Sequence, residues 1–261
     1  MTVVTWKNFL AGKSGLPEAV NLTIGVFDGL HLGHRKLLSE VTSGPASSLV
    51  VTFIENPAII LAREGFPGSI LTFRQKLEKF ESLSVDCVLA IDFSEQLSRL
   101  SGKAFIELLR ENLTIKKLVV GFNFRFGRDK DADVNALRKM FRRSESEVSV
   151  TEPVPYRGSA ISSSRIRNCI REGALREAGE MLGANHSLDL REVKMARNPK
   201  GDNRIVSIRK SDIRQCLPVT GSYPVSCEAE TAAVSGLLTI RSDAVELELE
   251  TDGKITTAEF I

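Results

Sequence analysis

The pattern of apolar and polar positions predicts an α/β architecture for the first part of the chain. Short continuous apolar runs alternate with segments of helical period, and such runs are typical of strands buried on both faces of a parallel sheet. The runs are residues 22–27, 49–53, 87–91, 118–121 and 147–150. Stripes with spacings of three and four mark amphipathic helices between them; they are Phe73, Leu77 and Phe80, then Phe105, Leu108 and Leu109, then Val134, Leu137 and Phe141. This alternation predicts a doubly wound α/β domain.

The pattern after residue 161 predicts a different architecture. Two short helices are expected over about residues 164–172 and 175–182, with Gly183 as a C-terminal stop. Short β-rich runs then follow, separated by Gly, Pro, Ser and Asp, at residues 204–208, 223–227, 236–240, 245–249 and 255–260. We therefore expect an α/β domain over residues 1–184 and a small antiparallel, barrel-like β domain over residues 185–261.

Length and composition are those of an ordinary globular protein. The chain has 261 residues, of which 42% are apolar and 26% are charged. This is enough for a sizeable core and argues against disordered, collagen-like and coiled-coil classes. The formal net charge is only +2, so we expect binding neither to nucleic acid nor to a membrane surface. A polyanionic ligand would therefore have to be bound by a local site and not attracted by the overall charge of the protein.

The cysteines indicate no metal site and no disulfide framework. Cys87, Cys169, Cys216 and Cys227 include no CxxC pair, and the chain has only three histidines. We predict reduced, structural thiols. The sequence has no run of about 18 apolar residues and no signal-like start, so we expect a cytoplasmic protein.

The candidate chemistry is concentrated directly after the first buried run. The segment reads Gly25-Val-Phe27-Asp28-Gly29-Leu-His31-Leu-Gly33-His34. Open α/β sheets bind ligands at the carboxyl ends of their strands, and a helix start near residue 33 offers unpaired N–H groups to a phosphate. A single histidine is usually structural, but two of the three here share one helix face. The segment therefore predicts an anion site.

A second candidate phosphate site lies near residue 165. The segment Ile161-Ser162-Ser163-Ser164-Arg165-Ile166-Arg167 places three hydroxyls and two guanidinium groups at a helix start. Hydroxyls and free N–H groups bind phosphate oxygens, and arginine offers a bidentate fork. The alternative is a plain serine N-cap with solvated arginines.

Together these segments resemble the paired signatures of the nucleotidylyltransferases, GxFDGxHxGH and ISSxxIR. The full pattern is similar to the bacterial bifunctional riboflavin kinase/FMN adenylyltransferase family, also called FAD synthetase. Three further segments match the flavin branch: Val51-Thr52-Phe53-Ile-Glu55-Asn56-Pro57, Leu71-Thr72 with Lys76, and Val120-Gly121-Phe-Asn123-Phe124-Arg125-Phe126-Gly127. The resemblance covers about residues 20–183 and implies a Rossmann-like nucleotidylyltransferase domain.

The resemblance implies adenylyl transfer from ATP to FMN, which yields FAD and pyrophosphate, with Mg²⁺ carried by ATP and no metal site of the protein. The implied catalytic residues are His31, His34, Ser164 and Arg165. The implied ATP-binding residues are Gly25, Phe27, Asp28, Gly29, Gly33, Ser162, Ser163 and Arg167. The implied flavin-binding residues are Thr52, Asn56, Pro57, Asn123, Arg125 and Phe126. Ordinary core packing is the alternative role for Phe126.

The chain departs from the family at several positions. Glu55-Asn56 stands where the family has Pro-His, Asn123 where it has Asp, and Ser164 where it has Thr. Serine keeps the hydroxyl, but the amide at 123 replaces an acceptor-only carboxylate with a group that also donates. Flavin affinity and selectivity are the properties that these changes affect.

The C-terminal part departs further. The family's kinase module carries a Gly-Arg pair and a Pro-Thr-Ala-Asn segment, and neither follows Gly183. Leu217-Pro218 and Gly221-Ser222-Tyr223 only faintly resemble a strand of that module. We expect a degenerate kinase-like β domain without riboflavin kinase activity. A basic stretch is interpreted as a solvated face; it comprises Arg191, Lys194, Arg197, Lys200 and Arg204.

Two other functions stay open from the sequence. One is a nucleotidylyltransferase that acts on another phosphorylated acceptor, and the other is a catalytically silent flavin- or nucleotide-binding protein. The presence of His31, His34, Ser164 and Arg165 argues against the silent protein. A class I aminoacyl-tRNA synthetase also uses an HxGH-type motif, but the short chain and small net charge leave little for tRNA binding. The sequence makes no prediction of oligomeric state.

Overall fold

A computed structural model of the protein describes residues 1–61, 65–197, 205–229, 232–249 and 254–261, without the side chains of residues 95, 96 and 197. The chain forms two compact units. The first comprises Met1–Glu64 and Lys76–Ala160, and the second comprises Gly65–Gln75 and Ile161–Ile261. The predicted limits of the functional domains at residue 184 stay a prediction. Lys200 and Arg204 of the predicted basic face lie outside the described residues, and so does the side chain of Arg197.

The first unit alternates strands and helices as the apolar pattern predicts. Its main strands are β1 (Thr2–Thr5), β2 (Ala19–Ile24), β3 (Ser47–Phe53), β4 (Cys87–Ile91) and β5 (Thr114–Gly121), followed by the short β6 (Arg125–Phe126) and β7 (Ala132–Asp133), then β8 (Glu147–Thr151), and the hairpin β9 (Pro155–Tyr156) and β10 (Ser159–Ala160). Its helices are α1 (Trp6–Leu10), α2 (Leu32–Thr42), α3 (Pro57–Ile60), α4 (Phe73–Ser82, which begins in the second unit), α5 (Glu95–Ser98), α6 (Gly102–Asn112) and α7 (Val134–Phe141).

The parallel sheet of this unit has the order β1-β4-β3-β2-β5-β8. The chain passes from β2 to β3 and β4 on one side, and later to β5 and β8 on the other. The direction of winding therefore reverses between β2 and β5. In doubly wound sheets the crevice at such a reversal, outside the carboxyl ends of the strands, is where ligands bind. The predicted doubly wound fold is confirmed.

Burial explains which strand predictions hold and which fail. The interior strands β3 and β4 are buried along nearly their whole length, as their unbroken apolar runs predict. The first run was predicted to reach residue 27, but β2 ends at Ile24 and residues 25–27 are loop. The run at 147–150 was predicted to be buried on both faces, which is wrong: β8 lies at a sheet edge and is half-buried. The strand β1 was not predicted, because its four residues are mostly exposed and form no continuous apolar run.

The second unit contains the two predicted helices and an antiparallel sheet. Its helices are α8 (Ser163–Arg171) and α9 (Leu175–Leu182), and Gly183 ends α9 with a left-handed φ of 68°. Its strands are β11 (Ser187–Asp189), β12 (Met195–Arg197), β13 (Ile205–Arg209), β14 (Gly221–Ala229), β15 (Ala233–Ile240), β16 (Ala244–Leu249) and β17 (Ile255–Phe260). The order is β11-β17-β14-β15-β16-β13-β12. This confirms the antiparallel β prediction and adds β11 and β12, which are too short to leave a periodic signal.

A buried glutamine fixes the segment Gly65–Gln75 within the second unit. The side-chain amide of Gln215 donates to the Ile70 carbonyl at 2.9 Å and to Gln75 Oε1 at 3.0 Å, and its Oε1 accepts from the Asp189 N–H at 2.7 Å. Buried amides of this kind need partners for all their polar atoms. The segment that matches the family at Leu71-Thr72 is therefore part of this unit's interior.

The cysteines are free thiols. Burial raises the pKa of Cys87, and raises that of Cys227 to about 11, so both thiols stay protonated and unreactive at neutral pH. Within the described parts of the chain, no helix is both long enough and apolar enough to cross a membrane.

Candidate functional site

The loop over residues 25–31 leads from β2 into α2 at the winding reversal. The Gly25 N–H donates to the Val51 carbonyl at 3.0 Å, which continues the sheet by one residue. Phe27, Gly29 and Leu30 then take left-handed φ angles of 51°, 90° and 43°. For Phe27 and Leu30 this conformation is strained, and such strain is found mainly where a loop is held for a function.

The two histidines of the motif form one stacked pair at the start of α2. His31 is the N-cap residue, and its Nδ1 accepts a hydrogen bond from the His34 N–H at 3.3 Å. The ring centroids are 3.7 Å apart, with 16° between the planes. The edge of Phe27 packs against His34 at a centroid distance of 5.2 Å. The predicted shared face for the two imidazoles is observed.

Both imidazoles are uncharged at neutral pH. Burial lowers the pKa of His31 to about 4. Burial, and to a smaller extent the repulsion between two protonated rings, holds the pKa of His34 well below its usual range. Because Nδ1 of His31 accepts a hydrogen bond, the proton of the neutral ring lies on Nε2, which can donate. Nδ1 of His34 is buried and has no hydrogen-bond partner among the described residues. The pair therefore offers directed hydrogen-bonding groups without a fixed charge.

Gly33 is required by the position of the His31 ring. A Cβ at residue 33 would lie 3.1 Å from Cε1 and 3.2 Å from Nδ1 of His31, closer than ordinary van der Waals contact. Because φ at Gly33 is not in the left-handed region, the constraint is the close approach of the ring and not the backbone conformation. The glycine lets the imidazole lie against the first turn of α2.

Polar side chains hold the other side of this loop. Asp28 is 4% exposed, and its Oδ2 accepts from Asn56 Nδ2 at 3.4 Å. The Asn56 Oδ1 caps α3 by accepting from Ala58 N–H at 3.0 Å, with Pro57 as the first helical residue. The Thr52 hydroxyl donates to the Val26 carbonyl at 3.2 Å. Three predicted flavin-side residues thus lie next to the predicted ATP-side loop.

Lys76, which was named in a segment that matches the flavin branch but was given no role, also lies in this network. Its ammonium group is buried and donates to the Phe53 carbonyl at 2.5 Å and to the Val26 carbonyl at 3.4 Å. The sequence signal that points to a role for Lys76 is its place in the stripe of α4. Lys76 follows Phe73 by three residues and precedes Phe80 by four, so a charged residue falls on the buried face of an amphipathic helix.

The remaining predicted flavin-side residues follow β5. Asn123 and Arg125 are exposed, and Arg125 pairs in register with Asp133 across β6 and β7. Phe126 is stacked on Phe124 at 5.1 Å and meets the Phe105 ring edge at 6.4 Å. Those contacts are the ones that core packing of Phe126 predicts. Because β5 is the neighbour of β2, these residues lie at the same sheet edge as the histidine loop.

The second predicted phosphate segment lies in the second unit. Ser162 is the N-cap of α8, and its hydroxyl accepts from the Arg165 N–H at 3.3 Å. Ser164 is exposed, and the guanidinium of Arg167 lies 4.9 Å from the Phe66 ring centroid. The N-cap interpretation is thus observed for Ser162. The phosphate roles of Ser163, Ser164 and the two arginines stay predictions. Among the described residues, no three His, Cys, Asp or Glu side chains lie together in a way that could hold a metal ion.

Comparisons with known proteins give consistent results. A family model described as FAD synthetase matches residues 14–165, more than half of the chain. A bifunctional riboflavin kinase/FMN adenylyltransferase of Buchnera aphidicola subsp. Acyrthosiphon pisum is 33% identical over 177 residues, which is 66% of this chain and 56% of that protein. An FAD synthetase of Listeria monocytogenes serovar 1/2a is 30% identical over 170 residues, which is 64% of this chain and 69% of that protein.

The chain spans little more than half the length of the Buchnera relative. Among solved structures, a macrolide-efflux protein from Streptococcus pneumoniae matches all of this chain and 90% of that one, with a TM-score of 0.80 and 23% sequence identity. At this identity the likeness concerns the fold alone, and it extends over both compact units of the chain.

Proposed function

Because the chain belongs to the FAD synthetase family, we propose that it is an FMN adenylyltransferase. A phosphate oxygen of FMN attacks the α-phosphorus of ATP, the new P–O bond forms FAD, and the bond to the β-phosphate breaks to release pyrophosphate. The observation that carries the proposal is the stacked, uncharged pair of His31 and His34 at the N-terminus of α2. This helix start lies beside the winding reversal of the sheet.

The proposed chemistry needs no strong general base. The FMN phosphate is already anionic at neutral pH, because its second pKa is about 6. Catalysis then depends on positioning and on stabilising the charge that develops on the transferred phosphoryl group. Nε2–H of His31 is a donor for a phosphate oxygen, and the N–H groups of the first turn of α2 add the positive end of the helix dipole.

His34 has a complementary role in this proposal. Its Nδ1 is buried without a partner among the described residues, and an unpaired buried polar atom is costly unless a ligand completes it. A bound substrate would supply that partner. We assign the α-phosphate and the departing pyrophosphate to the two imidazoles. Gly25, Phe27, Gly29 and Gly33 form the nucleotide-side loop, which Asp28 orders.

The other assignments follow the family resemblance. In the second unit, Ser164 and Arg165 are assigned to the β- and γ-phosphates, supported by Arg167 and by the hydroxyls of Ser162 and Ser163. In the first unit, the flavin-side residues are assigned to the carboxyl edge of the sheet. They are Thr52, Asn56, Pro57, Asn123, Arg125 and Phe126.

We further propose that Mg²⁺ enters with the phosphates of ATP and keeps several water ligands. The C-terminal β domain, taken as residues 185–261, is proposed to lack riboflavin kinase activity. The free cysteines suit a reducing compartment, so we place the reaction in the cytoplasm.

The test is a product assay with two flavins. Purified protein is incubated with ATP and Mg²⁺ and with either FMN or riboflavin, and FAD, FMN and pyrophosphate are resolved by chromatography. FAD from FMN, with no FMN from riboflavin, supports the whole proposal. FMN formed from riboflavin contradicts the assignment of the C-terminal domain. No FAD from FMN contradicts the adenylyltransferase, and a panel of other phosphorylated acceptors with ATP or CTP then identifies the acceptor.

A further inference from the structure

We propose that Lys76 is a positioning residue for adenylyl transfer, because its ammonium group joins the loops that follow β2 and β3 and thereby holds the histidine loop in place. The inference rests on the function proposed above and adds a residue to it. Lys76 lies on α4, outside the histidine loop and outside the serine-arginine segment. It belongs to a segment that matches the flavin branch, but the resemblance assigns no role to it.

The first support is the geometry of the ammonium group. Lys76 is 3% exposed, and its Nζ donates to the carbonyl of Phe53, the last residue of β3, at 2.5 Å. The same Nζ donates to the carbonyl of Val26 at 3.4 Å, two residues after β2 ends. One cation therefore holds two neighbouring chain segments at the point where each leaves the sheet. Phe27 and Asp28 directly follow Val26 in the chain, and Asn56 lies three residues after Phe53.

The second support is charge. The Asp28 carboxylate is buried near Lys76 and favours its charged form, although burial lowers the pKa of Lys76 to about 8. At pH 7 the ammonium is therefore still mostly protonated. Asp28 also accepts from Asn56, so the network runs from the loop after β3 through Asp28 to Lys76. A buried carboxylate that loses its nearby cation is strongly destabilising.

The consequence for the site follows from chain connectivity. Val26 and His31 are five residues apart, and the loop between them contains two strained residues, Phe27 and Leu30. A loop held in a strained conformation needs contacts that over-determine it. Without Lys76, the Thr52 hydroxyl still donates to the Val26 carbonyl, but the Phe53 carbonyl loses its ammonium donor and Asp28 loses its nearby cation. The loop can then relax, and the His31 ring loses its defined position at the start of α2.

A matched pair of variants tests this without relying on activity. Lys76→Met keeps the aliphatic stem and removes the ammonium group, and Lys79→Met makes the same change three residues later on α4. Hydrogen exchange should become at least tenfold faster in peptides that cover residues 25–31 and 53–56 of Lys76→Met. Exchange in β4 should not change, and Lys79→Met should match the wild type throughout. Unchanged exchange in both peptides, or an equal rise over the whole sheet, overturns the proposal.

Kinetics give a second readout. Lys76→Met should lower kcat for FAD formation at least tenfold while KM for ATP and for FMN stays within threefold, because the substrates' own contacts are retained. Lys76→Ala should recover activity with millimolar propylammonium chloride and not with an equal concentration of 1-propanol, since the charge is what is missing. An equal loss in Lys79→Met, or equal rescue by the alcohol, contradicts the role of the ammonium group.

A measurement on the wild-type protein covers the case in which the variants do not fold. The pKa of the Lys76 ammonium, followed by NMR of its Nζ and Cε, should be near 8, and a value near the ordinary 10.4 would overturn the buried contact. If the wild type makes no FAD from FMN, the proposed function fails. The exchange and NMR results still decide whether Lys76 positions the loop.

Discussion

Replacing Gly33 by alanine separates the geometry of the histidine pair from the stability of the fold. Gly33 is the second residue of α2, and its φ allows any side chain. The added Cβ would lie 3.1 Å from Cε1 of the His31 ring, where ordinary contacts begin at 3.4 Å. The ring therefore has to retreat by about 0.3 Å or more, in the direction away from the helix start.

The expected effects on stability nearly cancel. Alanine is favoured over glycine in a helix by up to about 1 kcal/mol. Against this, the bond from the His34 N–H to His31 Nδ1 is already 3.3 Å long, and losing an N-cap costs about 1 kcal/mol. The net change should stay within about 1 kcal/mol, or roughly 2–4 °C in Tm. Activity should suffer more, because the reaction is sensitive to the position of the ring and a misplacement of about 1 Å can cost about 100-fold in rate.

The assay measures kcat for FAD formation and Tm for Gly33→Ala beside Gly179→Ala. Gly179 lies inside α9, and its Cβ would have no neighbour closer than 3.6 Å. The control should keep full activity with equal or higher Tm, while Gly33→Ala should lose at least tenfold in kcat. If Gly33→Ala keeps kcat within threefold of the wild type, the close approach of the His31 ring does not matter for the reaction and the reasoning is refuted.

The other predictions concern the imidazoles and two buried contacts. His34→Ala should lower FAD formation by at least about 100-fold in steady-state assays, and a loss within threefold would remove its assigned role. Because burial lowers the pKa of His31 to about 4 in the folded state, the unfolded chain binds more protons between pH 6.5 and 4, and His31 alone should lower the free energy of unfolding by about 2 kcal/mol from pH 7 to pH 5. The lowered pKa of His34 adds a loss in the same direction. In urea titrations the loss should be about 2 kcal/mol smaller in His31→Asn, which keeps an N-cap, than in the wild type, and equal losses would contradict this. Gly127→Ala should lower the free energy of unfolding by at least about 2 kcal/mol, because the added Cβ would meet the Asp131 carboxylate and the Gly102 backbone. The control Gly12→Ala has a similar φ and open space around the Cβ, and it should cost about 1 kcal/mol. Equal Tm values for the two variants would refute the clash at Gly127. Gln215→Leu should lower the free energy of unfolding by about 2 kcal/mol or more by leaving buried partners unsatisfied, and an unchanged denaturation midpoint would contradict that.

Local patterns predict those elements whose burial is uniform. The run at residues 87–91 coincides with β4, and the second helix after residue 161 coincides with α9, because each has one clear periodicity and a clear end. The strand predicted over residues 22–27 extends beyond the end of β2, because Phe27 is apolar and buried although it lies in a loop. Apolar character reports burial, and burial continues past the last residue of β2.

The candidate site divides in the same way. The histidine pair could be predicted because two rare residues at a helical spacing follow a strand, and that information is local. The contact of Asn56 with Asp28 joins residues 28 positions apart, and the contact of Lys76 with Val26 joins residues 50 apart. The periodicity of the sequence does not predict contacts of this kind, because they depend on which strands become neighbours in the sheet.

The spacing of apolar residues was therefore sufficient for the class of each unit, and the local motif over residues 25–34 was sufficient for the helix start at the histidines. The order β1-β4-β3-β2-β5-β8, the winding reversal beside β2, and the placement of Gly65–Gln75 in the second unit required the folded chain. The physical reason is that strand order and buried polar networks are set by long-range packing. Each of their contacts is satisfied only when distant segments meet, as the amide of Gln215 and the ammonium of Lys76 both illustrate.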